Sequence, residues 1–347
     1  AEAKSRIAGT MHDDEEARMK RVTLDRRQLG TGLAAALAAP FVVRLGTPSA
    51  EAQMTRSTWS QLADLSQEAQ RLGLSVPRMG LAPSTGGDDF TEIQPAIVDF
   101  MDGITASAPD ATGVTSADID SLVDRASELL RAARNAERMP RDIPEGPQAA
   151  AVTAPKFEDI SADYVRLFET CQIRSENRST VQWYVSKITD AARRKSYEAV
   201  FEETCVPWYA VAIIHGMECG FDMTSHLHNG DSLKAKTVQV PKGRPDPWLP
   251  PSDWVSSAVD ALRYDKLHEQ ADWSLPRMLY RWEGYNGWRS RVLYKINTPY
   301  LWSFSNHYTK GKFVADNKWD PNAVSKQCGA AVMLKALVEG GFISQPA

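Results

Sequence analysis

Ile213-Ile214-His215-Gly216-Met217-Glu218-Cys219-Gly220-Phe221-Asp222, followed by His226-Leu227-His228-Asn229-Gly230-Asp231, decides how this chain is read. Pro207 through Cys219 reads as one short helix, apolar almost all round: Trp208, Tyr209, Val211, Ile213, Ile214 and Met217 leave it no polar face. A helix of that kind is buried. Pro207 suits the first turn, where its missing N–H has no partner to lose, and Gly220 suits the left-handed stop just past the end. Glu218 is the one carboxylate of this helix and lies in its last turn. Desolvation by apolar neighbours and the negative end of the helix dipole both disfavour an ionised group there. The expectation is a carboxylic acid that keeps its proton near neutrality, as protonation of a leaving oxygen requires.

Asn229-Gly230 is a strong hairpin signal, because a type I′ turn needs positive φ at both central residues, and Thr237-Val238-Gln239-Val240 reads as a strand after it. A buried helix ending in Glu, then a hairpin presenting His and Asp, resembles the core of the lysozyme superfamily. Trp282-Glu283-Gly284-Tyr285-Asn286-Gly287 and Pro299-Tyr300-Leu301-Trp302-Ser303-Phe304 extend the resemblance to bacterial and phage lysozyme-like peptidoglycan hydrolases, similar to lytic transglycosylases. It covers residues 155–347. It implies a mainly α, lysozyme-like helical domain with a small β-hairpin. It also implies cleavage of the β-1,4 bond between N-acetylmuramic acid and N-acetylglucosamine, with Glu218 as general acid, peptidoglycan glycan strands as partner and no cofactor. Tyr285-Asn286-Gly287 resembles the Tyr-Asn-Ala-Gly element of lytic transglycosylases, where the tyrosine supports the cleft. Many of those enzymes have Glu-Ser where this chain has Glu218-Cys219, so a serine that bonds the acid is missing.

Asp231 and Asp222 compete as a second carboxylate. Asp231 faces the expected cleft and is favoured over its reading as a turn residue; Asp222 reads as a cap or loop anchor. Without either, the resemblance leaves a route with one carboxylate, in which Glu218 acts first as acid and then as base. His215, His226 and His228 raise a metal reading, and a metal-dependent cell-wall amidase or peptidase is the alternative. His-Glu-x-x-His is absent, however, and the expected role of His226 and His228 is hydrogen bonding that shapes the cleft. A non-catalytic peptidoglycan-binding protein is the other alternative. Tyr300, Trp302 and Trp288 lie in polar stretches and are better placed to stack on sugar rings than Trp254 or Trp282, which sit on helical faces. Glu218 and Asp231 are thus the expected catalytic residues, and His226, His228, Tyr285, Asn286, Tyr300 and Trp302 the expected substrate contacts, with no metal.

Residues 1–52 read as an export leader. Arg26-Arg27 suggests a twin-arginine signal, an apolar run from Leu29 to Val43 follows, and Ala50-Glu51-Ala52 fits a cleavage site. Met19 reads as the initiator. At about 15 residues the apolar run is short for a membrane span, so no stable span is expected after signal removal, although a signal-anchor is the competing reading. A periplasmic or secreted location follows. The net charge of −4, with no basic tract in the mature part, argues against nucleic acid as a partner. Cys171, Cys205, Cys219 and Cys328 allow three pairings into two bridges, but all lie on apolar faces and read equally well as buried thiols.

Residues 53–154 read as a helical accessory or spacer region. Ile119, Leu122, Val123, Ala126, Leu129, Leu130 and Ala133 mark a helix, with Thr115 and Asp118 as its capping box. The proline-rich stretch 138–155 reads as a linker. Further helices are expected around Ile160–Cys171, Val181–Ile188, Tyr197–Phe201 and Asp253–Leu262, from Ser274 to Gly284, and from Asp320-Pro321 through to Gly340.

Overall fold

The computed structural model describes residues 50–77, 90–137, 152–249, 253–315 and 318–347. The basic and apolar parts of the expected leader, and most of the 138–155 linker, lie outside the described residues. The chain is mainly helical with a small two-stranded sheet.

Three helices come first: α1 (Ala50–Arg71), α2 (Phe90–Ser107) and α3 (Ser116–Glu137). Each buries a helical stripe, Leu62, Leu65 and Ala69 on α1, Ile93, Ile97, Phe100 and Ile104 on α2, Leu122, Ala126, Leu129 and Ala133 on α3. The expected capping box starts α3. Thr115 N–H donates to Asp118 Oδ2 at 3.0 Å and Asp118 N–H returns to Thr115 Oγ1 at 3.2 Å. The helix α1 runs through the expected cleavage position after Ala52.

The segment read as a helical accessory or spacer region is helical and packs against the rest. Buried apolar side chains from Leu62 to Leu337 form one continuous cluster. Asp102 on α2 takes Lys187 and Arg193, each at 2.6 Å, and Trp183 Nε1 donates to Asp99 at 2.9 Å. Burial opposes ionisation of Asp102, but its bonds to Arg193 and Lys187 outweigh that and hold its carboxyl below the ordinary value.

The remaining helices are α4 (Phe157–Glu169), α5 (Arg178–Thr189), α6 (Ala191–Thr204), α7 (Trp208–Cys219), α8 (Trp254–Tyr264), α9 (Leu275–Asn286), α10 (Arg289–Val292), α11 (Pro299–Trp302) and α12 (Ala330–Glu339). The apolar helix α7 is central and is packed by α5, α6 and α12. Pro207 is its N-cap and Gly220 its left-handed stop, φ 63°. Phe221 is also left-handed, φ 68°, which folds its ring back onto Gly216. A Cβ at Gly216 would lie 2.5 Å from Phe221 Cζ, so only glycine admits that ring.

The β-structure is not where the sequence suggested. The sheet pairs β1 (Lys312–Ala315) with β2 (Lys318–Asp320), antiparallel. At Asn229-Gly230 only Gly230 has positive φ, +82°, so the turn is not type I′. It closes over four residues instead: His226 N–H donates to Asp231 O at 2.7 Å and Gly230 N–H to His226 O at 2.8 Å, with one isolated bridge, Ser225 to Ser232. Residues 237–240 form no strand. The N–H groups of Val238 and Gln239 turn to a side chain, Asp231 Oδ2, and Pro241 has no donor to continue a ladder. The last helix begins at Ala330, later than expected, because Asp320 ends a strand and its carboxylate accepts from Asn322 and Ala323 N–H in a turn.

Candidate active site

Glu218 leaves the last turn of α7 as its one partly exposed residue between Ala210 and Gly220. Tyr300 reaches it from α11, donating its hydroxyl to Glu218 Oε1 at 3.0 Å. The placement of Tyr300 runs back through two more residues. Thr298 caps α11, accepting from Tyr300 N–H at 3.3 Å, and Asn286 Nδ2 at the end of α9 donates to Thr298 Oγ1 at 3.2 Å. Three residues quoted separately from the sequence, Glu218, Asn286 and Tyr300, are thus joined in one chain of bonds.

The backbone of that last turn is held from two other places. Arg134 Nη2, from α3, donates to Met217 O at 2.9 Å and Glu218 O at 2.8 Å; Gln327 Nε2 donates to Met217 O at 2.8 Å. These satisfy carbonyls that a helix end leaves without intrahelical partners, and a cation suits the negative end of the dipole. Nothing in the local pattern around Arg134 signals this. Cys219 donates its thiol to His226 O at 3.3 Å and so ties the helix to the following loop.

Asp231 is a loop anchor. Its Oδ2 accepts from Val238 N–H at 2.7 Å, Gln239 N–H at 2.9 Å and Asn229 Nδ2 at 3.1 Å. Asp222 is one too: its carboxylate takes Thr224 N–H, Ser225 Oγ and, from α3, Ser127 Oγ at 2.5 Å.

His226 and His228 lie inside the protein and brace the loop. His226 is buried, with Nε2 on Ala235 O and Nδ1 on Ser257 Oγ, both 2.7 Å. A carbonyl can only accept, so Nε2 carries the proton and Nδ1 accepts from the serine. Burial lowers the pKa of His226, against the bond to Ala235. His228, also buried, bonds Asp260 at 2.8 Å, and Arg244 Nε meets the same oxygen at 3.0 Å. Burial raises and these partners lower the Asp260 pKa, which ends below its ordinary value. Among the described residues no group of three or more His, Cys, Asp or Glu is placed to hold a metal ion.

Two expected stacking platforms are core residues: Trp302 is 0% exposed and Trp288 4%. Trp302 looked exposed because Ser303 and Ser305 flank it, but both hydroxyls bond backbone carbonyls, at 3.1 and 2.7 Å, and are buried with it. Tyr285 donates its hydroxyl to Asp265 Oδ2, at 3.1 Å, and joins the end of α8 to α9.

A second carboxylate, Glu283 on α9, is fully buried. Arg291 meets it with Nε at 3.0 Å and Nη2 at 2.9 Å, and Tyr164 donates to it at 2.5 Å. Burial would lower the Arg291 pKa, but Glu283 outweighs it and raises it; burial and then the Glu283 charge push Tyr164 well up.

The chain matches no protein-family model, no curated protein and no solved structure. Among the described residues no helix is long and apolar enough to cross a membrane.

Proposed function

We propose that the chain is an exported peptidoglycan hydrolase that cleaves the glycan strand with Glu218 as its acid. The observation that carries this reading is the Glu218 carboxyl itself. It stands partly exposed at the end of an otherwise buried apolar helix, and among the described residues its hydrogen-bond partner is one tyrosine hydroxyl. A group in that setting can hand a proton to a glycosidic oxygen and take one back.

Asp231 already accepts two backbone N–H groups and an amide, which suits an anchor more than a base that must activate water. We therefore favour the route with one carboxylate. Glu218 protonates the leaving oxygen, the sugar's own hydroxyl attacks the anomeric carbon, and Glu218, now ionised, removes the proton of that hydroxyl. The product then carries an anhydro end, not a reducing end. His226 has both ring nitrogens engaged within the protein, which lends no support to a metal-dependent amidase.

Mass spectrometry of material released from purified sacculi tests this directly. Anhydro-muramyl ends are expected from the wild type, and far fewer, about 10²–10⁴-fold, from Glu218→Gln. Reducing ends would restore Asp231 as a partner, cut peptide bonds would sink the glycosidase reading, and binding without release would leave a wall-binding protein.

A further inference from the structure

One face of α3 grips the turn that carries Glu218. Ser127, Arg131 and Arg134 follow at helical spacing. Ser127 reaches Asp222 just past α7, Arg131 Nη1 bonds Ser127 Oγ at 2.8 Å, and Arg134 Nη2 bonds the carbonyls of both Met217 and Glu218. Gly220 leaves room for the grip: a Cβ there would lie 2.8 Å from Arg134 Nη1 and 2.6 Å from Gln94 Nε2. The contact spans 84 residues of sequence and joins the N-terminal helices to the candidate acid.

We propose that Arg134 is a positioning residue for Glu218, setting where the carboxyl stands by fixing the two peptide units from which it projects. This rests on the glycan-cleaving role of Glu218. A side chain with a single tyrosine partner takes its direction mainly from its own backbone. A cation at the helix end can hold that backbone through two carbonyls at once. A misplacement of about 1 Å at a reacting group can lower turnover on the order of 10²-fold, so a small loosening of this turn is enough to matter.

The test uses the full chain. Arg134→Gln should lower kcat on soluble glycan strands roughly tenfold or more while KM stays within about twofold, and Arg134→Lys should recover part of the loss. Ser127→Ala, on the same face, should lower the melting temperature without separating kcat from KM. Wild-type kcat in Arg134→Gln, or kcat falling in step with melting temperature in both variants, would overturn the proposal. Amide hydrogen exchange reads the grip without catalysis, at Gly220 and Asp222, whose N–H groups bond back to Gly216 and Cys219. Faster exchange there in Arg134→Gln is expected; unchanged exchange overturns the proposal. If the wild type cleaves no glycan, the role of Glu218 falls on its own, and the exchange measurement still decides whether Arg134 sets this turn.

Discussion

Glu218 and Glu283 are both glutamates on helices of the same core, and both accept a hydrogen bond from a tyrosine hydroxyl, yet their surroundings differ in the one respect that separates chemistry from architecture. Glu283 is sealed off from solvent and is matched by the guanidinium of Arg291, with Asp163 taking the other side of the arginine at 2.9 Å. Glu218 is partly open, and Arg134 nearby donates to the backbone carbonyls of Met217 and Glu218. An acid that is to give up a proton needs access and freedom from a permanent counter-ion; an acid that is to hold helices together needs the reverse.

The sharpest way to break this comparison is to neutralise Glu218 and, separately, to strip Glu283 of its arginine. Glu218→Gln keeps size and hydrogen bonding but cannot donate an acid proton, so wall cleavage should drop by about 10²–10⁴ with melting temperature unchanged or slightly higher. Retention of more than about a tenth of the activity would remove Glu218 as the acid. At the other site, Arg291→Met leaves a buried carboxylate without its partner and should cost about 3–5 kcal/mol in denaturant unfolding. The double variant Arg291→Met with Glu283→Gln should recover much of that, since the uncompensated charge is gone. A loss below about 1 kcal/mol in the single variant would mean that the pair is no more than a surface bridge.

His215 sharpens the comparison from within α7 itself, one turn before Glu218. It is fully buried; its Nε2 lies 3.2 Å from Asp222 O, so Nε2 donates and Nδ1 accepts from Tyr197 Oη at 3.0 Å. Burial, opposed by the bond to Asp222, pushes its pKa down to about 3. The folded value lies below the unfolded one of about 6.5, so the unfolded chain binds this proton first. Its contribution to stability is intact above pH of about 6.5 and is lost as pH falls towards the folded value, by up to about 1.36 kcal/mol per pH unit. Urea unfolding between pH 7 and 5 should therefore show a slope that His215→Asn reduces, even though the variant is less stable throughout. An unchanged slope would mean that the interior of α7 tolerates a charge, and the contrast between its buried stem and its open end would weaken.

How much of this could be read from the residues depends on the range of the interactions. The helix α7 was legible with its caps, because its burial, Pro207 and Gly220 are local signals. So was the capping box of α3. The grip of Arg134 on Met217 was not, since periodicity describes a helix's own face and says nothing about which distant carbonyls an arginine will meet. Asn229-Gly230 misled in a different way. The dipeptide does fit a tight turn, but a hairpin also needs two strands that pair. The N–H groups of Val238 and Gln239 were taken by Asp231, one side chain doing the work of a partner strand. Trp302 misled because serines look like surface until their hydroxyls are seen to close on the backbone.

The smallest effect belongs to the hydroxyl that the two glutamate sites share in kind. Tyr300→Phe removes the bond to Glu218 Oε1 and leaves the ring in place on α11, which is still capped by Thr298. The carboxyl is partly exposed, so water can replace the lost donor, and the net loss should be about 1 kcal/mol, roughly fivefold in turnover. Tyr164→Phe, at the buried site, exposes no carboxylate to water and should appear in stability instead, as about 1–3 kcal/mol. Rates on soluble glycan strands and urea midpoints, taken on both variants, separate the two outcomes. If Tyr300→Phe left turnover untouched while lowering stability as Tyr164→Phe does, Tyr300 would be a brace like its counterpart, and Glu218 would have to be oriented by its backbone alone.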